Sequence, residues 1–352
     1  MFVANTYEEL INMENIIFVD VRSEYEFQKE TIPGAINIPI LNNDERVEIS
    51  TIYDAGDHEC AKKLAVRYAS VKLEDIYVKL SDLSENHNVC LFCYRGSMRS
   101  TVLFNIMKSM GLSIYRLKGG YKSYRKYVIE NLDKLINSHE YVNINGYTGV
   151  GKTEILNILE SSHKNVLNLE QLANHRGSIL GNAGLKNQPS QKMFESLLFD
   201  KLKSFDDEPV FVECESSKIG SLNIPKSLRQ KYNSSHHQVM INSSLQNRID
   251  RIKCDYLKNP HALEDIKKGI NHLSKYIGKN NSSILIDKLE NEDYDSVIES
   301  LITKYYDINY AVKSKDFELE IDNENSEKCA EEIMKFYAVW FRININTKAD
   351  AI

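Results

Sequence analysis

Cys93 ends the apolar run Val89-Cys-Leu-Phe-Cys93 and is followed by Tyr94-Arg-Gly-Ser-Met-Arg-Ser100. A helix-forming stretch, Thr101 to Met110, comes next. A thiol at a strand end, ahead of a helix N-terminus, feels the positive end of the helix dipole. Arg95 and Arg99 add full charges, so the thiolate is favoured and Cys93 is a candidate nucleophile. Amides of the intervening loop would cradle an oxyanion, as phosphate-binding turns before helices do. Cys90 lies inside the same apolar run and reads as core.

A second anion-binding pattern is Gly146-Tyr-Thr-Gly149-Val-Gly151-Lys152-Thr153, which satisfies G-x-x-x-x-G-K-[ST] in full. It sits between a strand-like segment, 140–145, and a helix-like one, 154–160. The amides of Gly149 to Thr153 would hold phosphate oxygens, Lys152 would reach them as a point charge, and the Thr153 hydroxyl would take Mg²⁺. Such a loop demands a phosphorylated ligand, not specifically ATP. Downstream, Pro209-Val-Phe-Val-Glu213 reads as a buried strand running out into a carboxylate placed to hold the metal through water. Between them, His175 and Arg176 precede Gly177 in a polar cluster that suits a ligand loop better than a core.

The elements that position these residues alternate strand and helix, which predicts an α/β fold with ligands beyond the carboxyl ends of the strands. With 352 residues the chain exceeds the usual single core, so two domains are expected. Apolar and charged fractions of 42% and 27% are those of an ordinary soluble protein. No span approaches a membrane helix and the first residues lack a signal-peptide core, so a cytoplasmic protein without membrane association is expected. Cys60, Cys90, Cys93, Cys214, Cys254 and Cys329 are scattered and give one C-x-x-C only, so free thiols are expected rather than a zinc site.

A net charge of −6 argues against indiscriminate nucleic-acid binding. Between Arg95 and Lys134, however, nine Lys/Arg face only Glu130 and Asp133, with Tyr115, Tyr121 and Tyr124 interleaved. That stretch suits phosphate contacts and base stacking, or else a solvated helix face.

Asp20-Val-Arg22, Ile32-Pro-Gly-Ala35 and the Cys93 loop together resemble a rhodanese domain over residues 1–130. A P-loop NTPase-like α/β domain is expected over 131–312, with a C-terminal segment, 313–352, packed on it. Taken together, the Cys93 loop, the P-loop, Ala173–Ser178, Val212–Gly220 and Tyr306–Tyr310 resemble the bacterial tRNA 2-selenouridine synthase family across roughly residues 5–312. Tyr94 and Ser97 stand where that family usually has Trp and Gly.

The resemblance implies a tRNA partner carrying 2-thiouridine at the wobble position, with geranyl diphosphate and selenophosphate as co-substrates and an enzyme supplying selenophosphate. It further implies S-geranylation, with the P-loop gripping the departing diphosphate, followed by selenation through a Cys93 perselenide held by Arg95 and Arg99. The segment 116–126 and Lys226, Arg229 and Lys231 would hold the tRNA. Two other readings stay open: a rhodanese-related cysteine phosphatase, and a P-loop kinase or NTPase with a sulfur-carrier rhodanese domain.

Overall fold

The computed structural model describes residues 3–178, 180–213, 216–257, 262–309 and 316–349. Cys214, Glu215 and Tyr310, within motifs singled out above, lie outside the described residues. The chain forms two compact units, one of residues 1–132 with 189–200 and one of residues 133–188 with 201–352.

In the first unit, β1 (Ile16–Asp20), β2 (Ile36–Asn37), β3 (Asn88–Phe92) and β4 (Ile114–Arg116) form a parallel sheet in the order β2-β1-β3-β4. Central β3 is covered on both faces, hence its unbroken apolar run. Cys90 is fully buried there, and burial pushes its thiol far above the usual range, so it is core rather than chemistry. Cys90→Ala is therefore expected to cost about 1–2 kcal/mol in urea unfolding while sparing turnover per folded molecule.

The Asp20-Val-Arg22 segment is a latch. Arg22 forks onto the Asp20 carboxylate, with Nε 2.9 Å from Oδ1 and Nη2 2.6 Å from Oδ2, and reaches the Glu30 carbonyl at 2.6 Å. Both side chains are buried, so their pairing is obligatory, and Thr31 and Tyr121 complete the enclosure. Residues 42–83 contribute three helices, Asn43–Asp54, His58–Ser70 and Leu73–Asn86; the last packs Ile76 and Leu80 on the sheet core. Residues 189–200 complete this unit: Arg125 on helix Gly120–Ser138 donates to Ser196 and pairs with Glu195, and Tyr127 meets Phe199 edge-on.

The second unit holds five parallel strands: β5 (Tyr141–Gly146), β6 (Val166–Leu167), β7 (Val210–Glu213), β10 (Gln238–Asn242) and β11 (Leu319–Asp322). A short antiparallel hairpin, β8 (Lys218–Ile219) and β9 (Leu222–Asn223), lies between β7 and β10 in sequence. The sheet order β11-β10-β5-β7-β6 puts the strand leading into the P-loop at the centre, directly beside β7. Residues 262–306 form helices Ala262–Ile277, Lys279–Glu290 and Tyr294–Leu301 and a π-helical turn, Ile302–Tyr306, around a separate apolar core. Helix Ser326–Ala349 puts Cys329, Ala330, Ile333 and Tyr337 into the sheet core with Val142 and Ile155; the side chains of Val339, Trp340 and Phe341 lie outside the described ones. Among the described residues, no helix is long and apolar enough to cross a membrane.

Candidate active sites

Cys93 follows β3 directly and is 2% exposed, at the floor of its loop. The helix behind it starts at Met98, three residues before the expected Thr101, because Ser97 already takes the capping position. Arg99 and Ser100 are therefore first-turn residues, and Ser100 Oγ donates to Cys93 Sγ at 3.2 Å. The loop is held from its carbonyl side: Tyr121 N donates to Cys93 O and Lys122 N to Tyr94 O, both at 2.9 Å, and Arg116 donates to Gly96 O at 2.8 Å. Among the described residues the amides of Arg95 to Ser100 have no acceptor, which leaves a nest of donors for one tetrahedral anion.

This contact demands glycine at position 120. With φ at +59°, a Cβ there would stand 2.1 Å from Cys93 O and 2.3 Å from Gly96 N, both backbone atoms that cannot move aside. Gly120→Ala is expected to cost at least about 1–3 kcal/mol in thermal or urea unfolding and to deform the Cys93 loop.

Arg99 does not present a free charge to Cys93. It makes a two-pronged pair with Glu26, at 2.7 and 3.2 Å, and Glu26 also meets Arg46 at 3.2 Å. Burial alone would raise the Glu26 carboxyl, but Arg99 and Arg46 outweigh it and hold it below the ordinary range. Arg95 is exposed, with no side-chain partner among the described residues. Glu26 escaped the sequence reading, although its spacing from Ser23 is that of a capping box.

The basic stretch divides in two. Tyr121 and Tyr124 are each 1% exposed and so cannot stack on bases, which corrects the expectation above. Arg116 is spent on Gly96 and Thr101, and Arg125 is buried against Ser196. Lys118, Lys122 and Lys126 remain exposed for phosphate contacts. Lys226 is exposed, and Arg229 and Lys231 are half-buried.

In the second unit Gly146, Gly149 and Gly151 all take positive φ, and the helix Lys152–Ser161 begins at the end of the loop. Lys152 Nζ folds back onto the carbonyls of Gly146 at 2.9 Å and Tyr147 at 3.3 Å, across the mouth a phosphate would enter. Thr153 Oγ1 donates to Glu170 Oε2 at 3.3 Å, and Glu170 N donates to Glu213 Oε1 at 3.0 Å. Glu213 is 1% exposed: burial pushes its carboxyl up, while the Glu170 amide and the Lys152 charge pull it back. Sequence reasoning missed Glu170, which comes from the helix Leu169–Ala173.

The outer side of the P-loop is gripped by residues with no local motif. Arg248 Nε donates to Thr148 O at 2.8 Å while its two terminal nitrogens fork onto Asp307 at 2.9 and 2.6 Å. Asn323 Nδ2 takes the Val150 carbonyl at 2.8 Å, and Arg251 bonds Ser243 and the Asn323 carbonyl. The Thr148 and Val150 carbonyls are thus tied outward, as in the Cys93 loop, while the Val150 amide is spent on the Tyr147 carbonyl at 3.4 Å.

His175 and Arg176 do not act as a pair. The His175 ring is buried between Gly181 and Gly220, where a Cβ would come within 2.7 and 2.8 Å of it, and its Nδ1 has no partner among the described residues. Burial, then the neighbouring Arg176 charge, holds the imidazole below its usual range. Arg176 is engaged in its own loop, donating to Ala183 O at 2.8 Å with its guanidinium 4.9 Å from the Tyr256 ring centre. No hydrogen bond among the described residues joins either side chain to the P-loop.

The buried cysteine under its amides and the P-loop backed by the buried Glu213 carboxylate can be set beside known proteins. Residues 3–127 match the rhodanese-like domain family, and residues 139–339 match the family described as the tRNA 2-selenouridine synthase AAA domain. The tRNA 2-selenouridine synthase of Pseudomonas syringae pv. syringae (strain B728a) is 31% identical over 330 residues, covering 85% of this chain and 88% of that protein. Its counterpart in Hydrogenovibrio crunogenus (strain DSM 25203 / XCL-2) is 29% identical over 343 residues, covering 89% and 93%. The one in Nitrosomonas europaea (strain ATCC 19718 / CIP 103999 / KCTC 2705 / NBRC 14298) is 34% identical over 245 residues, covering 68% and 63%. Since the Cys93 loop and the P-loop both fall inside matched segments and the likeness runs over 85% of the chain, the chain belongs to the tRNA 2-selenouridine synthase family.

Proposed function

We propose that the protein converts 2-thiouridine at the wobble position of tRNA to 2-selenouridine in two steps. In the first, the sulfur of the base attacks C1 of geranyl diphosphate; a carbon–sulfur bond forms, the carbon–oxygen bond breaks, and diphosphate leaves. The observation that carries this reading is the P-loop with Lys152 poised over it, which suits the binding of a departing diphosphate with no nucleotide hydrolysis. The donors Thr153, Glu170 and Glu213 are all oxygen, the chemistry Mg²⁺ prefers, and Mg²⁺ bound there would add charge beside the diphosphate.

In the second step selenophosphate supplies selenium and the geranylthio group leaves. Electron counting decides how Cys93 takes part. A thiolate and selenophosphate both carry a fully reduced chalcogen, so attack at selenium to give a perselenide would expel phosphite. Attack at phosphorus breaks the phosphorus–selenium bond, releases hydrogen selenide beside the base, and leaves a phosphocysteine that water clears as phosphate. The amides of Arg95 to Ser100 and the Ser100 hydroxyl suit the phosphorus route, as they do in any cysteine site built around a tetrahedral oxyanion. Arg95 would bind the phosphate, and Arg99 would position the loop through Glu26.

The test is mass spectrometry of wobble nucleosides from cells with and without the gene. Selenouridine that disappears with the gene supports the reading. Unchanged selenouridine, with phosphate release from an aryl phosphate by the purified protein, would favour the phosphatase instead.

A further inference from the structure

Asp307 takes no part in the two steps above, yet its side chain ends behind the P-loop. Its backbone amide donates to Ile302 O and closes the π-helical turn, a rare geometry that recurs at functional sites. Its carboxylate accepts from both terminal nitrogens of Arg248, at 2.9 and 2.6 Å, and the third nitrogen of that guanidinium, Nε, donates to Thr148 O at 2.8 Å. A guanidinium is flat and rigid, so a partner that fixes two of its nitrogens also aims the third.

Helix Leu245–Leu257, which carries Arg248, lies directly against the P-loop. Gly149 has φ at +81°, and a Cβ there would stand 2.8 Å from Ile252 Cδ1 and 3.1 Å from Arg248 O. The Arg248 side chain is 8% exposed, so its charge needs a counter-charge, which Asp307 supplies. A carbonyl turned into an anion-binding loop would repel phosphate oxygens. Tying Thr148 O outward therefore favours the anion without touching it.

We infer that Asp307 is a positioning residue for the P-loop: it aims Arg248, Arg248 holds the Thr148 carbonyl outward, and the phosphate site is kept clear of a repelling dipole. The inference rests on the proposed binding of a diphosphate and adds a residue that shapes its site from behind. Arg248 would otherwise be a phosphate ligand masked by Asp307. All three of its nitrogens are engaged, which favours positioning, and the two roles predict effects of opposite sign. Tyr306, the neighbour of Asp307, has its hydroxyl 3.4 Å from Ser178 Oγ, so the same turn also reaches the loop that carries His175 and Arg176.

The experiment is calorimetric titration of the full chain with inorganic diphosphate and Mg²⁺, for wild type, Asp307→Asn, Asp307→Glu, Arg248→Met and the double variant of Arg248→Met with Asp307→Asn, each first checked by urea unfolding. Asp307→Asn, equal in size but uncharged, is expected to weaken diphosphate about tenfold, the scale of one hydrogen bond to a charged group. Asp307→Glu keeps the charge and the fork and should recover most of that loss. If Asp307 acts only through Arg248, the double variant binds no more weakly than Arg248→Met alone. Wild-type affinity in folded Asp307→Asn, or losses that add in the double variant, would remove the positioning role. Tighter binding by Asp307→Asn would reveal a masked phosphate ligand and overturn it equally. In each of these cases diphosphate binding by wild type stands, whereas a wild type that binds no inorganic diphosphate takes the P-loop reading and this inference down together. Should Asp307→Asn fail to fold, Arg248→Lys is read in its place. It keeps a charge beside Asp307, but one ammonium cannot fork onto the carboxylate and hold Thr148 O as well, so the same tenfold loss is expected and wild-type affinity overturns the proposal.

Discussion

Lys152→Ala is expected to stop geranylation and to leave selenation of pre-geranylated tRNA intact. The ammonium rests on the carbonyls of Gly146 and Tyr147, so it is already over the loop when a diphosphate arrives. Charge on the bridging oxygen grows as the carbon–oxygen bond breaks, so a fixed cation contributes more in the transition state than in the bound ground state. Removal of one such donor costs about 10²–10³ in rate elsewhere, a loss plainly visible in single turnovers. Selenation should proceed because, on the proposed route, it involves no diphosphate and its nucleophile is Cys93, in the other unit. ATP consumed stoichiometrically with each modification, or geranylation at the wild-type rate by the variant, would sink the assignment.

Cys93→Ser should give the complementary phenotype, with S-geranyl-2-thiouridine accumulating and selenouridine lost. A covalent nucleophile that acts as one unit with its loop typically accounts for roughly 10³ or more in rate, so residual selenation should fall below detection in ordinary assays. The variant keeps the size of the residue and the Ser100 contact, so geranylation is expected at the wild-type rate and serves as the test of folding. Phosphorus NMR of the wild-type reaction adds a second reading: orthophosphate is expected, whereas phosphite would restore the perselenide route. Selenouridine formed by Cys93→Ser would remove Cys93 from the reaction altogether.

Both candidate loops were legible in the sequence because each is local. In Cys93–Ser100 and Gly146–Thr153 the thiol or ammonium, the loop and the following helix are contiguous, and their spacing alone fixes the geometry. What grips each loop was not legible, since those partners are brought in by topology. Glu26 reaches Arg99 from 73 positions away, Arg248 reaches Thr148 from 100, and Asn323 reaches Val150 from 173. Strand β11 was missed for a related reason: it alternates as Leu-Glu-Ile-Asp, which becomes a strand only beside β10. Tyr121 shows the opposite error, since a residue type that suits bases is buried here under the Arg22 guanidinium.

The return of residues 189–200 to the first unit has a consequence for the chain as a polymer. Peptide connections pass between the units near residues 132, 188 and 200, so no single cut divides the molecule along its units. A protease that nicks near residue 132 would release, on a denaturing gel, a fragment lacking the partners of Arg125 and Tyr127. Under native conditions the two pieces should still migrate together, held by the segment carrying Glu195, Ser196 and Phe199. For the same reason a nascent chain cannot finish its first unit until about residue 200 has left the ribosome, by which time the P-loop has already been synthesised.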